Sequence, residues 1–151
     1  MTQQVRRNDF DYIMISVRQG HHEPHGMSLA PASIAAAAAG DTASAVAWLQ
    51  RNFTSGLIKP PFNVRTETAT NNTGYFVTAS GGFLQNLLYG FTGLRVAEKG
   101  LTESYPPILP AEWKSMTLKN VTIRKEHYDF IIDRDAGGRV RLTRKALRAQ
   151  P

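Results

Sequence analysis

The spacing of apolar residues changes along the chain, from intervals typical of helices to the alternation typical of strands. Between residues 28 and 91, apolar positions recur every three or four residues, which predicts helices with one buried face. From Trp113 to Thr143, the segments MTLKNVTIR, HYDFIID and GRVRLTR alternate apolar and polar residues, which predicts three or four antiparallel strands. The change falls near residue 98, so the sequence predicts an α+β fold with helices first and strands second.

Three helices are predicted in the first half. Ser28 and Asp41 are placed to cap the first two, which run through PASIAAAAAG and DTASAVAWLQRNF. The third is longer; it starts near Gly74 and ends at Gly90 and Gly93, because glycine accepts the left-handed conformation found at many helix ends. Its predicted apolar face consists of Phe76, Phe83, Leu84, Leu87, Leu88 and Phe91.

Two other segments have weaker patterns. Residues 3–17 mix helix and strand signals, and a short helix followed by an extended piece is expected there. TESYPPILPAEW contains three prolines and is expected to form an ordered crossing segment between the halves. Three short helices make a poor bundle, and three or four strands make a poor independent sheet. The chain is therefore expected to lie at the junction of two larger units.

A single carboxylate stands in the polar loop before the third helix. Glu67 is the only acidic residue between Asp41 and Glu98, and it lies in a stretch rich in Thr and Asn. An isolated carboxylate directly before a buried helix is the first candidate for a functional residue. An ordinary solvated glutamate fits the same pattern, because most Glu side chains are exposed.

Length and composition limit the protein classes that remain. The chain has 151 residues, the size of one typical domain, and 42% of them are apolar, which is enough for a core. It has no cysteine, so disulfides and thiolate metal sites are excluded while the compartment stays open. No apolar run reaches the roughly 18 residues that span a bilayer, so no membrane contact is expected. The apolar stretch after residue 9 is interrupted by polar residues and makes a poor signal peptide.

The charge is positive and uneven. The net charge is +6, and from Arg139 onward there are five basic residues and no acid. Such a tail is able to bind nucleic acid, but the interleaving of aromatic and basic residues typical of nucleic-acid modules is missing. A solvated strand edge is the simpler interpretation, and no nucleic-acid partner is expected.

A histidine-rich loop is the one segment that suggests a metal. In GHHEPHG, the residues His21, His22 and His25 surround Glu23. The loop contains Gly and Pro and does not match a helical HExxH motif, which holds its ligands in defined geometry. Neither a metal nor another cofactor is expected, and the loop is expected to be flexible or to face a substrate.

The segment GGFLQNLLYGFTGLR resembles the end of the helical barrel in glycoside hydrolase family sixty-five. The resemblance extends back through PFNVRTET and HGMSLAP to VRRNDFDY, and forward into the strands. Enzymes of this family act on α-glucosides such as trehalose, kojibiose and maltose, and the glucosidase acting on the glucosylated hydroxylysine of collagen is similar here. Their fold is an (α/α)6 barrel followed by a β-sandwich. The resemblance implies that residues 1–97 are the last barrel helices and residues 98–151 the first sandwich strands, both incomplete.

The resemblance also implies a chemistry. The family inverts the anomeric centre, which needs a general acid and a base that activates water. The loop matched by RTET carries the base of the hydrolases, which implies Glu67. Arg65 and Asn71 are candidate neighbours that orient Glu67, and together with His25 they are also expected to contact the substrate. In the phosphorylases, phosphate replaces the water, and their phosphate loop resembles residues 25–28 with Ser where this chain has Met27. The general acid belongs to a barrel segment that the chain does not match.

The sequence leaves several functions open. The first is part of an inverting α-glucoside hydrolase, inactive alone, whose partners are an α-linked disaccharide or oligosaccharide and the remainder of the barrel. The others are a non-catalytic sugar-binding or structural module, a phosphorylase of the same family, and a basic nucleic-acid binder. Neither the linkage of the sugar nor the oligomeric state follows from these residues.

Overall fold

A computed structural model describes residues 1–19, 25–70, 74–98 and 100–147. Its helices are α1 (Gln3–Arg18), α2 (Leu29–Ala38), α3 (Thr42–Thr54) and α4 (Val77–Gln85), and α4 continues as a π-helix (Asn86–Phe91). Its strands are β1 (Ile58–Lys59), β2 (Val64–Arg65), β3 (Leu94–Ala97), β4 (Gly100–Glu103), β5 (Ser115–Ile123), β6 (Glu126–Arg134) and β7 (Val140–Leu147). The α+β class predicted from the sequence is confirmed.

The N-terminal segment is one continuous helix, so the expected extended piece is wrong. The hydroxyl oxygen of Thr2 accepts a hydrogen bond from the N–H of Val5 and caps the first turn of α1. Phe10 is buried, and Met14 and Val17 pack against the same core at helical spacing. The helical interval between these three residues therefore overrides the mixed local signals.

Helices α2 and α3 form a close pair in which one predicted cap is confirmed and the other is wrong. Asp41 accepts a hydrogen bond from the N–H of Ser44 at 2.9 Å, as a capping residue does. Ser28 makes no capping bond, and its hydroxyl donates to the carbonyl oxygen of His25 at 2.9 Å. The alanines of α2 allow the two helices to approach, so that the buried hydroxyl of Ser33 donates to the carbonyl oxygen of Ala45 at 2.7 Å.

The third helix is present, but its predicted apolar face is only partly buried. Phe91 is fully buried, whereas 64% of Leu84 is exposed. Gly93 follows the helix at φ +72°, and a Cβ there would lie 2.1 Å from the carbonyl oxygen of Tyr105. Glycine is therefore required at this exit, as the sequence predicted. The end predicted at Gly90 is wrong, because Gly90 lies inside the π-helix.

The strands of the second half are confirmed as an antiparallel sheet in the order β5–β6–β7. Asp135 closes the turn between β6 and β7, because its carboxylate accepts hydrogen bonds from the N–H groups of Gly137 and Arg139. The sequence missed two hairpins, β1–β2 and β3–β4. Their strands have two and four residues, too short for alternation to be recognised.

One core joins the helices to the sheet. Ile132 of β6 belongs to the same buried cluster as Phe10 and Trp48. The proline-rich segment is tied to both sides: the N–H of Ile108 donates to the carbonyl oxygen of Phe91 at 2.9 Å, and Arg134 donates to that of Leu109 at 2.8 Å. The two halves therefore share one interior, and their assignment to a barrel and a sandwich stays a prediction. In the described ranges, no helix has the length and apolarity needed to cross a bilayer.

Candidate functional site

A small hairpin leads the chain into the loop of Glu67. Strands β1 and β2 pair antiparallel, with Ile58 opposite Arg65 and Lys59 opposite Val64. Asn63, at φ 54°, makes the turn, because Asn tolerates the left-handed region better than most residues. Glu67 follows two residues after the end of β2, so the hairpin sets where the loop begins.

Thr66 fixes the backbone immediately before Glu67. Its side chain is almost fully buried, and its N–H donates to the carbonyl oxygen of Leu57 at 2.8 Å. Its hydroxyl lies 2.8 Å from the carbonyl oxygen of Thr68 and 3.2 Å from that of Leu57. The residue before Glu67 is thus held at both its backbone and its side chain.

Gly26 fixes the backbone of Glu67 itself. The N–H of Gly26 donates to the carbonyl oxygen of Glu67 at 2.7 Å. A Cβ at Gly26 would lie 3.0 Å from the carbonyl oxygen of Thr66 and 3.2 Å from the Cβ of Ala79. This close approach brings together HGMS and RTET, two of the motifs that carry the family resemblance.

The turn at residues 25–28 presents His25 to solvent beside this loop. His25 is exposed, and its carbonyl oxygen accepts hydrogen bonds from both the N–H and the hydroxyl of Ser28, each at 2.9 Å. Met27 is 43% exposed. The polar groups of Ser28 and the N–H of Gly26 are therefore occupied within the protein.

Arg65 lies beneath the loop rather than on it. Only 9% of the residue is exposed, and its Nη1 donates to the Oδ1 of Asn52 at 2.8 Å. Its Cζ lies 5.6 Å from the centroid of the Phe83 ring. Burial lowers the pKa of Arg65 from its ordinary value, but a guanidinium stays protonated at neutral pH. The substrate contact predicted for Arg65 stays a prediction, and its observed partners are protein groups.

The other predicted ligands divide between described and undescribed segments. Glu67 is half-buried, and it forms no ion pair with any described residue. Asn71 lies outside the described residues, as do His21, His22 and Glu23. Within the ranges that the structure describes, no group of three His, Asp or Glu side chains is arranged to hold a metal ion.

Three residues of this site were not found from the sequence: Asn52, Thr66 and Phe83. Asn52 is fully buried in α3, and nothing in the local pattern separates it from a solvent-facing helix residue. Phe83 was placed on the core-facing side of its helix, but its stacking on Arg65 was not expected. The repeated Thr around Glu67 was a signal, since a Thr hydroxyl often bonds to nearby backbone.

A basic groove lies on the strand half. It has a volume of about 640 Å³, and its lining includes Arg124, Lys125, Arg144 and Tyr128. Arg144 stacks on Tyr128, with its Cζ 5.0 Å from the ring centroid. Glu126 lines the same groove, so its charge is mixed. The nucleic-acid alternative concerned the tail from Arg139 onward, and the expected lack of such a partner stays a prediction.

No family model matches the chain. Over 71 residues, 47% of its length, it is 41% identical to a kojibiose hydrolase of Mucilaginibacter mallensis, of which the match covers 10%. It is 32% identical over 88 residues to a kojibiose hydrolase of Flavobacterium johnsoniae, covering 58% of the chain and 13% of that protein. It is 30% identical over 134 residues to a protein-glucosylgalactosylhydroxylysine glucosidase of Danio rerio, covering 87% of the chain and 19% of that protein.

These relatives support a relationship to glycoside hydrolases of the family sixty-five type. The chain spans only between 10% and 19% of the length of the three relatives. The similarity therefore concerns one segment of much longer proteins.

Proposed function

We propose that this chain is the segment of an inverting glucoside hydrolase that carries the general base, and that the base is Glu67. The observation that carries the proposal is the hydrogen bond between Gly26 and Glu67, which joins two of the motifs that carry the resemblance. A base must be held within hydrogen-bond reach of the water that it activates. A loop fixed at Thr66 and at Gly26 meets that need better than a free surface glutamate.

The proposed reaction uses water as the nucleophile. One oxygen of Glu67 takes a proton from the water while the water oxygen bonds to the anomeric carbon. The bond from that carbon to the leaving oxygen breaks, and the leaving oxygen takes a proton from the general acid. The general acid belongs to another part of the longer polypeptide, and its carboxyl lies roughly 6.5–9.5 Å from that of Glu67, as in other inverting glycosidases.

The presence of Glu67 and the missing hydroxyl at Met27 favour hydrolysis over phosphorolysis. A phosphate would need free donors in the turn at residues 25–28, since phosphate oxygens are bound by N–H and hydroxyl groups. The N–H of Gly26 bonds to Glu67, and both the N–H and the hydroxyl of Ser28 bond to His25. Met27 adds a thioether rather than a hydroxyl. The same turn leaves the exposed imidazole of His25 available to a sugar hydroxyl, and Asn71 is a second candidate for such a contact.

The test replaces Glu67 by Gln in the complete polypeptide that contains this chain. The amide keeps the size of the side chain but does not accept the proton of water. Because general base catalysis contributes roughly 10²–10⁴-fold, kcat for a glucoside such as kojibiose is expected to fall by about that factor. The KM is expected to change little, because the loss lies in the transition state.

Glu98→Gln is the matched control. It makes the same chemical change at an exposed glutamate outside the site and is expected to leave kcat unchanged. Full activity of Glu67→Gln would refute the proposal, as would a reading frame in which no further helical segment accompanies the chain. Turnover that requires phosphate would assign the protein to the phosphorylases.

A further inference from the structure

We infer that Arg65 is a positioning residue that holds the loop of Glu67 against α3 and α4, rather than a ligand of the sugar. The inference rests on the proposed role of Glu67. The expected contact of Arg65 with the substrate is thereby replaced by a positioning role, in which Asn52 and Phe83 are the residues that hold the Arg65 side chain. Its support comes from the direction of the Arg65 side chain and from the bonds that fix its partners.

Asn52 is built to receive Arg65. Its Nδ2 donates to the carbonyl oxygens of Trp48 and Leu49, at 3.3 and 3.0 Å, which fixes the orientation of the amide. Its Oδ1 is then directed at the Nη1 of Arg65, 2.8 Å away. Since Asn52 is fully buried, this acceptor has no water to replace Arg65. The Oδ1 of Asn52 is therefore an oriented hydrogen-bond acceptor in α3 for the Arg65 guanidinium.

Phe83 holds the same guanidinium from α4. The cation lies over the ring of Phe83, whose own position is fixed by an edge-to-face contact with Phe53 at 5.4 Å. Among the described residues, Arg65 forms no ion pair with a carboxylate. A planar guanidinium stacks on a ring and donates in its own plane, which a lysine ammonium does not reproduce. The site is therefore specific for arginine.

The backbone transmits this position to Glu67. The carbonyl oxygen of Arg65 accepts from the N–H of Phe76 at 2.8 Å, so its backbone is bonded to the residue that precedes α4 and its side chain to α3. Thr66 and then Glu67 follow without any intervening flexible residue. A shift of Arg65 would move the carboxylate, and a misplacement of about 1 Å costs on the order of 100-fold in rate.

The first experiment compares kcat and KM of Arg65→Lys in the complete polypeptide. The expected result is a fall in kcat of roughly 10- to 100-fold, with KM within about twofold, because the base is displaced while the sugar contacts remain. Arg51→Lys is the matched control: Arg51 also lies over an aromatic ring, that of Trp48, but on the exposed side of α3. It is expected to behave as the unmodified protein.

The decisive arm adds azide. Azide attacks the anomeric carbon through its own lone pair and needs no base, while the general acid still protonates the leaving oxygen, so an α-glucoside yields a β-glycosyl azide. If Arg65 only positions Glu67, azide turns over the double variant Arg65→Lys/Glu67→Gln as fast as Glu67→Gln, because no carboxylate is left to be positioned or to repel the anion. If Arg65 holds the sugar, azide rescues Glu67→Gln but not the double variant, which would overturn the inference.

The outcomes separate the two proposals. Full activity of Glu67→Gln refutes the role of Glu67 whatever Arg65 does. If Glu67→Gln is inactive and rescued by azide while Arg65→Lys is fully active, the positioning role of Arg65 is refuted and the role of Glu67 stands. If Arg65→Lys does not fold, Phe83→Leu tests the same contact, because it removes the stacked ring and keeps an apolar side chain. It is expected to lower kcat and leave KM unchanged; a raised KM with normal kcat would count against positioning.

Discussion

The N–H of Gly26 donates to the carbonyl oxygen of Glu67 at 2.7 Å, which joins two loops that are distant in the sequence. The contact depends on the missing side chain of Gly26, because a Cβ would meet the carbonyl oxygen of Thr66 at 3.0 Å. The backbone position of the candidate base is therefore set in part by a turn that precedes α2 in the sequence, whereas the base itself follows α3.

Gly26→Ala is expected to loosen this contact. The added methyl group presses on backbone and on Ala79, and overpacking of this kind typically costs about 1–3 kcal/mol of unfolding free energy. Gly81→Ala is the control, because a Cβ there meets nothing within 4 Å and replaces a helical glycine. It is expected to raise stability by roughly 1 kcal/mol. Urea unfolding at low protein concentration measures both, and equal effects would contradict the close approach.

Tyr105→Phe is expected to weaken the junction between the π-helix and the strands. The hydroxyl of Tyr105 lies within hydrogen-bond distance of the carbonyl oxygens of Tyr89 and Gly90, at 3.0 and 3.2 Å. Tyr89 keeps the N–H of Gly93 as a donor, 3.1 Å away, so the loss of the Tyr105 hydroxyl removes a hydrogen bond at a cost of about 0.5–1.5 kcal/mol. The measurement is the midpoint of urea unfolding, and no change in the midpoint would contradict the contact.

The same residue predicts a dependence on alkaline pH. Burial raises the pKa of Tyr105, with Arg95 and Arg6 opposing the shift. The neutral phenol is thus favoured in the folded state, so its contribution is fully present below the unfolded pKa of about 10 and is lost as pH rises through the folded pKa. Between pH 9 and about 11, stability is expected to fall less steeply in Tyr105→Phe than in the unmodified chain. Parallel curves would contradict this.

The outward side of α4 is expected to promote self-association of the isolated chain. Val77 and Leu84 are 66% and 64% exposed, and Phe53 nearby is 56% exposed. Exposed apolar side chains of this size favour binding to partners or self-association. The isolated chain is expected to bind an apolar fluorescent dye and to self-associate as its concentration rises in sedimentation experiments.

Leu84→Ser is expected to lower both dye binding and association. Val96→Ser is the control, because Val96 is 72% exposed on β3 rather than on α4, and the same change there is expected to have a smaller effect. A chain that stays monomeric, melts cooperatively and binds no dye would contradict the proposal that it is one segment of a larger enzyme.

Periodic segments were predictable from sequence because their signal is local. The interval between apolar residues identified α2, α3 and α4, and alternation identified β5, β6 and β7. The hairpins β1–β2 and β3–β4 escaped because two or four residues are too few to show a period. The error over α1 arose because its helical form depends on packing of Phe10 against distant residues.

The candidate site was predictable only as a position. Glu67 was identified because it is isolated from other acidic residues in the sequence and because of the family resemblance. Neither observation indicated which residues fix its position. The amide of Asn52 and the ring of Phe83 belong to α3 and α4. Contacts between residues that are distant in the sequence produce no periodic sequence pattern. The absence of a Cβ at Gly26 likewise gains meaning only once Thr66 is seen beside it.

The core shared by the two halves limits where recombination between related genes yields a folded protein. Ile132 of the sheet is buried in the same cluster as Phe10 of α1, and Arg134 bonds to the crossing segment. A recombination event that exchanged the strands alone would leave the incoming sheet facing a foreign helical surface. We expect natural chimeras to have their crossover points outside this unit, so that helices and strands pass between genes together.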